Sequence, residues 1–389
     1  MKIVFFSTMS TGADTPWGGS EELWGRTARL ALERGHQVAI VKYRWPEVPP
    51  KIRELQERGA RLLQLVRPQT WQHGRSLRWR LRWKLERSRV CGALASWKPD
   101  VVCYSQGGTF DMVSYSSFFV DFLNEHGFPY IVICQHNSED LSFVSEAARQ
   151  AAIACLSRAR RVAFVAERNL RVAERQIAAS VPNACVVGNP VNLADLRAVP
   201  YPNSDVVKLA NVARLEAQCK GQDVLLQVLS GEPWKARRWR LRFYGAGPDR
   251  PYLERLTSYY GIAERVEFCG HVGDVRSIWA DNHLLVMPSR SEGTPLSLME
   301  AMICGRPSVV TDVGGNREWI DEPSTGFVAD APSARSLNHA LERAWEARGH
   351  WELIGHRAHQ LALSKFDPHP EEAVLSLLIE GAASPGSSS

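Results

Sequence analysis

The sequence is first narrowed by its absences. No stretch of its 389 residues approaches the roughly 18–20 apolar residues of a membrane-spanning helix. The start, MKIVFF, holds four apolar residues between Lys2 and Ser7, far short of a secretory signal. Eight cysteines are present, but no CxxC pair, so neither a zinc ribbon nor a disulfide frame is expected. Most lie in apolar surroundings such as VVCYS and VICQH, and read as free, buried thiols in a reducing cytoplasm. No Asp-x-Asp metal motif is convincingly placed. The net charge of +5 is mild and by itself names no polyanionic partner. Low-complexity sequence is confined to the end, where residues 382–389 read as a flexible tail.

What is present fits a soluble globular protein, with 44% hydrophobic and 23% charged residues. The length suits two domains. KIVFF reads as a buried first strand, followed by the Gly-rich loop STGADTPWGGS. The segment EELWGRTARLALERG then places Leu23, Thr27, Leu30 and Ala31 at helical spacing, with Gly35 as a stop. HQVAIVKY is a second strand, so the chain opens as a parallel α/β sheet. Strands are expected at GARLLQLV, PDVVCYS, PYIVICQH and RVAFVA, and a helix at EAARQAAIACLSRA. A breaker-rich linker near residues 194–205 divides the chain. A second strand–helix series follows, from VKLANVARL to PSVVTDVGG. The reading is therefore two doubly wound halves with a cleft between them, ligands binding at strand carboxyl ends. Residues 1–195 would form one domain and 205–365 the other, with a last helix over 366–381.

The segment SRSEGTPLSLMEAMICGRP (289–307) carries the most chemistry. Thr294 reads as an N-cap, Pro295 as the first helical residue, and Gly305 with Pro307 as the stop. The amides of Leu296 and Ser297 at the helix start would form an anion site. Glu292 lies just ahead of the helix and Glu300 one turn inside it. Carboxylates are poor neighbours for phosphate but strong acceptors for sugar hydroxyls. Arg214 and Lys220, in ARLEAQCKGQD after a predicted strand, would supply cations for a diphosphate.

These residues resemble a known family. EGTPLSLME resembles the paired-glutamate signature of retaining glycosyltransferases with the GT-B fold, specifically glycosyltransferase family 4. PWGGSEELWGRTARLALERGHQV, NVARLEAQCKGQDVLL, FYGAGPDRPYLERL, VEFCGHV and TDVGGNRE match that family's segments in order, over nearly the whole chain. The resemblance implies an α/β GT-B fold, two Rossmann-like domains facing across a cleft, with the final helix crossing back to the first. It implies an acceptor domain followed by a donor domain, and transfer of a hexose from a UDP- or GDP-sugar with retention and without a metal cofactor. In this reading Glu292 holds hexose hydroxyls and Glu300 the ribose. Arg214 and Lys220 bind the diphosphate as it leaves, with Gly293, Thr294, Pro295, Leu296 and Ser297 around it. Gly18 and Gly19 let the first domain's backbone approach the phosphate, His136 lies near the reacting sugar, and the backbone at Val272 faces the base. LEAQC departs from the short Gly- or Asp-containing turn usual between the two cations.

Some readings stay open. LRWRLRWKL (77–85) alternates like a strand, but its composition and continuation into GALASW favour a helix. The basic, Trp-rich stretch 75–89 is a solvated face, a contact for anionic membrane lipid, or a nucleic-acid site; nucleic acid is not expected as a partner of the enzyme. The GAG at 245–247 lacks a third glycine and reads as a tight turn. Alternatives to glycosyl transfer are a nucleotide-sugar epimerase or phosphorylase on the same architecture, or a basic membrane- or nucleic-acid-binding module. The acceptor (glycan, lipid-linked or small molecule) is not named by the sequence. A cytoplasmic location is expected, with peripheral contact at the inner membrane face as an extension.

Overall fold

The computed structural model describes residues 1–9, 17–66, 77–114, 116–140 and 145–383. Most of the Gly-rich loop, Arg75 and Ser76 of the basic stretch, and residues 384–389 of the tail lie outside the described residues. The chain divides into two compact units, Met1–Pro190 with His369–Ser389, and Val191–Pro368.

The first unit is built on seven strands: β1 (Lys2–Ser7), β2 (Gln37–Tyr43), β3 (Arg61–Leu65), β4 (Val101–Gly108), β5 (Tyr130–His136), β6 (Val162–Phe164) and β7 (Ala184–Val186). They run parallel in the order β3-β2-β1-β4-β5-β6-β7. Both faces of such a sheet are covered, so its strands read as continuous apolar runs. Val4 and Phe6 face one core while Ile3 and Phe5 face the other, the alternation expected of a pleated strand. The Glu22–Glu33 helix covers the second face.

The last helix, Pro370–Ala383, belongs to this first unit although it follows the second in sequence. Its Val374, Leu375 and Leu378 are fully buried with Leu23, Trp24 and Ala28. Three buried aliphatic side chains contribute on the order of 5–9 kcal/mol before ordering entropy. The helix crosses back to the first domain for that reason.

The second unit holds six strands: β8 (Val207–Val212), β9 (Trp239–Tyr244), β10 (Val266–Gly270), β11 (Leu284–Met287), β12 (Ser308–Thr311) and β13 (Phe327–Ala329). Their order, β10-β9-β8-β11-β12-β13, repeats the order of the first six strands of the other sheet. All pairings are parallel. The chain winds outward from β8 in one direction and restarts at β11 in the other. The β8/β11 junction is therefore the topological switch point, where loops diverge and a crevice opens at the strand carboxyl ends. In the first unit the same point lies between β1 and β4.

Three expectations are refined. The LRWRLRWKL stretch is a helix, spanning Leu77–Trp97; Val90 and Leu94 supply its buried stripe. All eight cysteines are free, but only Cys103, Cys134 and Cys304 are buried, and Cys269 on the edge strand β10 is exposed. Among the described residues no helix is long and apolar enough to cross a membrane.

Candidate active site

The switch point of the second sheet gathers most of the sequence-predicted site. Arg214 leaves the end of β8, and a one-turn helix, Ala217–Lys220, follows it. That helix is what LEAQC forms in place of a short turn. Across the junction, β11 runs into Ser289, Arg290, Ser291 and Glu292, then into the Leu296–Ile303 helix. The two loops are joined directly. The Lys220 ammonium donates to Glu292 Oε1 at 2.7 Å, and the Ser289 hydroxyl donates to the same oxygen at 2.7 Å. Glu292 is only 6% exposed, so its charge is paired where an unpaired one would be costly. One oxygen held twice fixes the orientation of the carboxylate.

Arg214 reaches Glu216 at 3.4 Å. Its Nε is buried and has no hydrogen-bond partner among the described residues, an unspent donor beside the switch point. Glu300 is buried and accepts the Asn192 amide at 3.1 Å through Oε1. The linker after the first unit thus orients the second glutamate.

The helix start differs from expectation by one residue. Pro295 is extended (φ −77°, ψ 116°) and is itself the N-cap, so the helix begins at Leu296 and Thr294 does not cap it. A proline has no side-chain acceptor, but its carbonyl takes the Leu298 amide at 3.2 Å. The amides of Leu296 and Ser297 remain the ones without an intrahelical acceptor, in half-buried positions. Gly293 and Thr294 are buried in the turn ahead of them. Val272 follows β10, its side chain packed on the core around Trp279 and Leu298.

Two residues that position the site escaped the sequence reading. Arg290 binds both oxygens of Asp223 at 2.8 and 2.9 Å and the Ala217 carbonyl at 2.5 Å. Its amide and that of Ser291 both donate to the Cys219 carbonyl, at 2.8 and 3.3 Å. This planar fork ties the Lys220 loop to the Glu292 loop. Gly314 packs on the other side of Glu292, with Gly315 donating to the Gly293 carbonyl at 2.8 Å. A TDVGG run marks a tight turn, but nothing in it tells which backbone it will press against.

Gly18, Gly19 and His136 lie in the first unit. His136 ends β5, opposite Gly108, and its carbonyl takes the Thr109 amide at 3.0 Å and hydroxyl at 2.9 Å. Gly18 is extended and opens the Gly19–Glu21 turn. Beneath it, fully buried Glu21 accepts from Lys42 at 2.7 Å and from Ser7 at 2.7 Å. Nearby, the Asp111 carboxylate accepts from the Thr8 hydroxyl at 2.6 Å and the Gly108 amide at 3.1 Å. Burial pushes its carboxyl above the ordinary range, against the pull of those bonds. Among the described residues no group of three His, Cys, Asp or Glu side chains is placed to hold a metal ion.

Residues 207–347 match the family model described as glycosyl transferases group 1. The match lies within the second unit, and the likeness to the group 1 glycosyl transferases rests there. The chain is 30% identical over 161 residues to a subunit of human phosphatidylinositol N-acetylglucosaminyltransferase, covering 41% of this chain and 33% of that one. It is 28% identical over 157 residues to the alpha-D-kanosaminyltransferase of Streptomyces kanamyceticus, covering 40% of each. The matches thus span well under half the length of these curated relatives. Among solved structures, Anabaena HepE, crystallised with UDP-glucose, aligns over 98% of this chain and 99% of its own, with a TM-score of 0.73 at 16% identity. That likeness carries the fold, GT-B, built here on two parallel sheets.

Proposed function

We propose that this chain is a group 1 glycosyl transferase that moves a hexose from a UDP- or GDP-sugar to an acceptor hydroxyl, with retention of configuration and no metal requirement. The observation that carries the reading is the switch point of the second sheet. It brings two cations, Arg214 and Lys220, and a pair of buried, oriented carboxylates, Glu292 and Glu300, to one loop cluster. A nucleotide sugar needs that pairing: cations for its diphosphate and acceptors for its two sugars. HepE, with UDP-glucose bound, lends support from the fold.

The bond between the anomeric carbon and the diphosphate breaks, a bond to the acceptor oxygen forms, and the acceptor proton ends on the leaving phosphate. Negative charge grows on that phosphate, so preorganised donors there supply the largest stabilisation. Arg214 brings its unpartnered Nε, and Lys220 has three donors, enough to keep Glu292 while gripping phosphate. The Leu296 and Ser297 amides add the field of the helix start. Glu292, pinned through Oε1, takes hexose hydroxyls, and Glu300, pinned by Asn192, takes the ribose. The backbone at Val272 faces the base. Retention is carried over from the family resemblance.

The first unit supplies the acceptor side, with His136, Gly18 and Gly19 at the carboxyl edge of its sheet. Among the described residues nothing requires glycine at 18, where φ is −119° and an added Cβ would meet Ser20 Oγ alone, at 3.9 Å. That supports a role in close approach to a ligand. Free thiols throughout fit a cytoplasmic site of action, with peripheral contact at the inner membrane face.

The test is nucleotide release from a panel of UDP- and GDP-sugars in EDTA. Turnover that persists in EDTA and falls by about a hundredfold or more in Lys220→Met fits the reading. Turnover abolished by EDTA and restored by Mn²⁺ overturns metal independence.

A further inference from the structure

The Leu77–Trp97 helix has two unlike sides. Its inner side packs on the first unit: Val90 and Leu94 are buried, and Trp83 meets the Phe118 ring edge-on at 5.3 Å. Its outer side carries Leu81 and Leu85, one turn apart, 53% and 70% exposed. Residues 78, 81, 82, 85 and 89 share that side at helical spacing. Arg78 and Arg89 therefore flank the two leucines, with exposed Lys84 beside them, while Arg82 is ion-paired. The one acid in this stretch, Glu86, is turned inward. It is held by Arg82 and Arg44, each at 3.2 Å, and by the Val66 amide at 2.8 Å. The outer face is thus positive with an apolar centre.

We propose that this face docks on an anionic phospholipid surface, with Leu81 and Leu85 entering the acyl boundary and Arg78, Arg89 and Lys84 among the headgroups. The charge pattern favours lipid over nucleic acid. A phosphodiester backbone would reward the cations equally, but it offers nothing to two leucines at the centre of the face. Each cation at an anionic membrane is worth roughly fivefold in partitioning, and the leucines add an apolar contribution that salt does not screen. The proposal deepens the peripheral-contact reading and is independent of the donor site.

The experiment is vesicle flotation of the full chain. Vesicles of phosphatidylcholine with about one third phosphatidylglycerol are compared with phosphatidylcholine alone. Wild type should float with the anionic vesicles only. Leu81→Glu with Leu85→Glu should lower the bound fraction by at least about tenfold, and Arg78→Glu with Arg89→Glu by a similar factor. All four positions are exposed, so both variants should keep the wild-type melting temperature and its shift with nucleotide. That separates failure of this proposal from failure of the glycosyl-transfer reading. Wild type that stays with the pellet, a leucine double variant that floats like wild type, or binding to RNA in place of vesicles would each overturn it.

Discussion

Replacing Gly314 with alanine adds one methyl group where the second unit has no room for it. Gly314 sits at φ +51°, and a Cβ there would stand 2.6 Å from the Glu292 carbonyl carbon, closer to its oxygen, and 2.9 Å from the Gly293 oxygen. The left-handed backbone costs alanine about 1 kcal/mol, and overpacking against main chain adds about 1–3 kcal/mol. Together these amount to roughly 2–4 kcal/mol, or about 5–15 °C in melting temperature for a unit of this size. The backbone that must yield is the one carrying Glu292 and the Gly315–Gly293 bond. Affinity for a nucleotide sugar should therefore fall more than affinity for the bare nucleotide. Gly35→Ala is the control: φ there is +78° and nothing lies within 4 Å of an added Cβ, so only the cost of about 1 kcal/mol applies. Calorimetric titration with UDP, UDP-glucose and their GDP counterparts, beside melting curves, reads both effects. A Gly314→Ala protein that loses no more stability than Gly35→Ala and binds nucleotide sugar like wild type would refute the close-approach argument.

Three further changes test other parts of the site. Glu300→Ala removes both the proposed ribose acceptor and the partner of the Asn192 amide, and should weaken nucleotide binding by about tenfold or more in titration calorimetry. Arg290→Lys keeps the charge but loses the two-point grip on Asp223, so turnover should fall while the melting temperature drops only modestly. Asp111→Asn should change how stability depends on pH. Burial raises the Asp111 carboxyl in the folded state, so the folded protein holds a proton that the unfolded chain releases. Its contribution is greatest below the ordinary carboxylate range, and falls as pH rises through that range to the raised folded value. Melting curves across that window should show the decline in wild type and its loss in Asp111→Asn.

The sheets were legible because buried parallel strands write themselves as short β-branched runs, as in KIVFF and VKLANVARL. The Leu77–Trp97 helix was harder, since its first nine residues alternate like a strand. Val90 and Leu94, further along, decide it through helical spacing. The individual glutamates were legible from their place around a helix start, but their partners were not. Lys220 and Glu292 stand 72 positions apart, and Asn192 and Glu300 stand 108 apart. Only the adjacency of β8 and β11 brings the first pair together. The Arg290 fork escaped notice because an arginine before a motif reads as a surface charge until Asp223 is placed opposite. Thr294 looked like the cap because its side chain suits one; the extended proline after it moves the helix start on by a residue.

The central claim is that the second unit is a nucleotide-sugar site built on Arg214, Lys220, Glu292 and Glu300. Its most direct test is a thermal shift of the wild-type chain with UDP and GDP, and then with their sugars. At about a hundred times its dissociation constant a ligand adds roughly 2.7 kcal/mol, a shift of several degrees. The account predicts stabilisation by one nucleoside diphosphate series, reduced in Lys220→Met. No shift with any member of either series would contradict it.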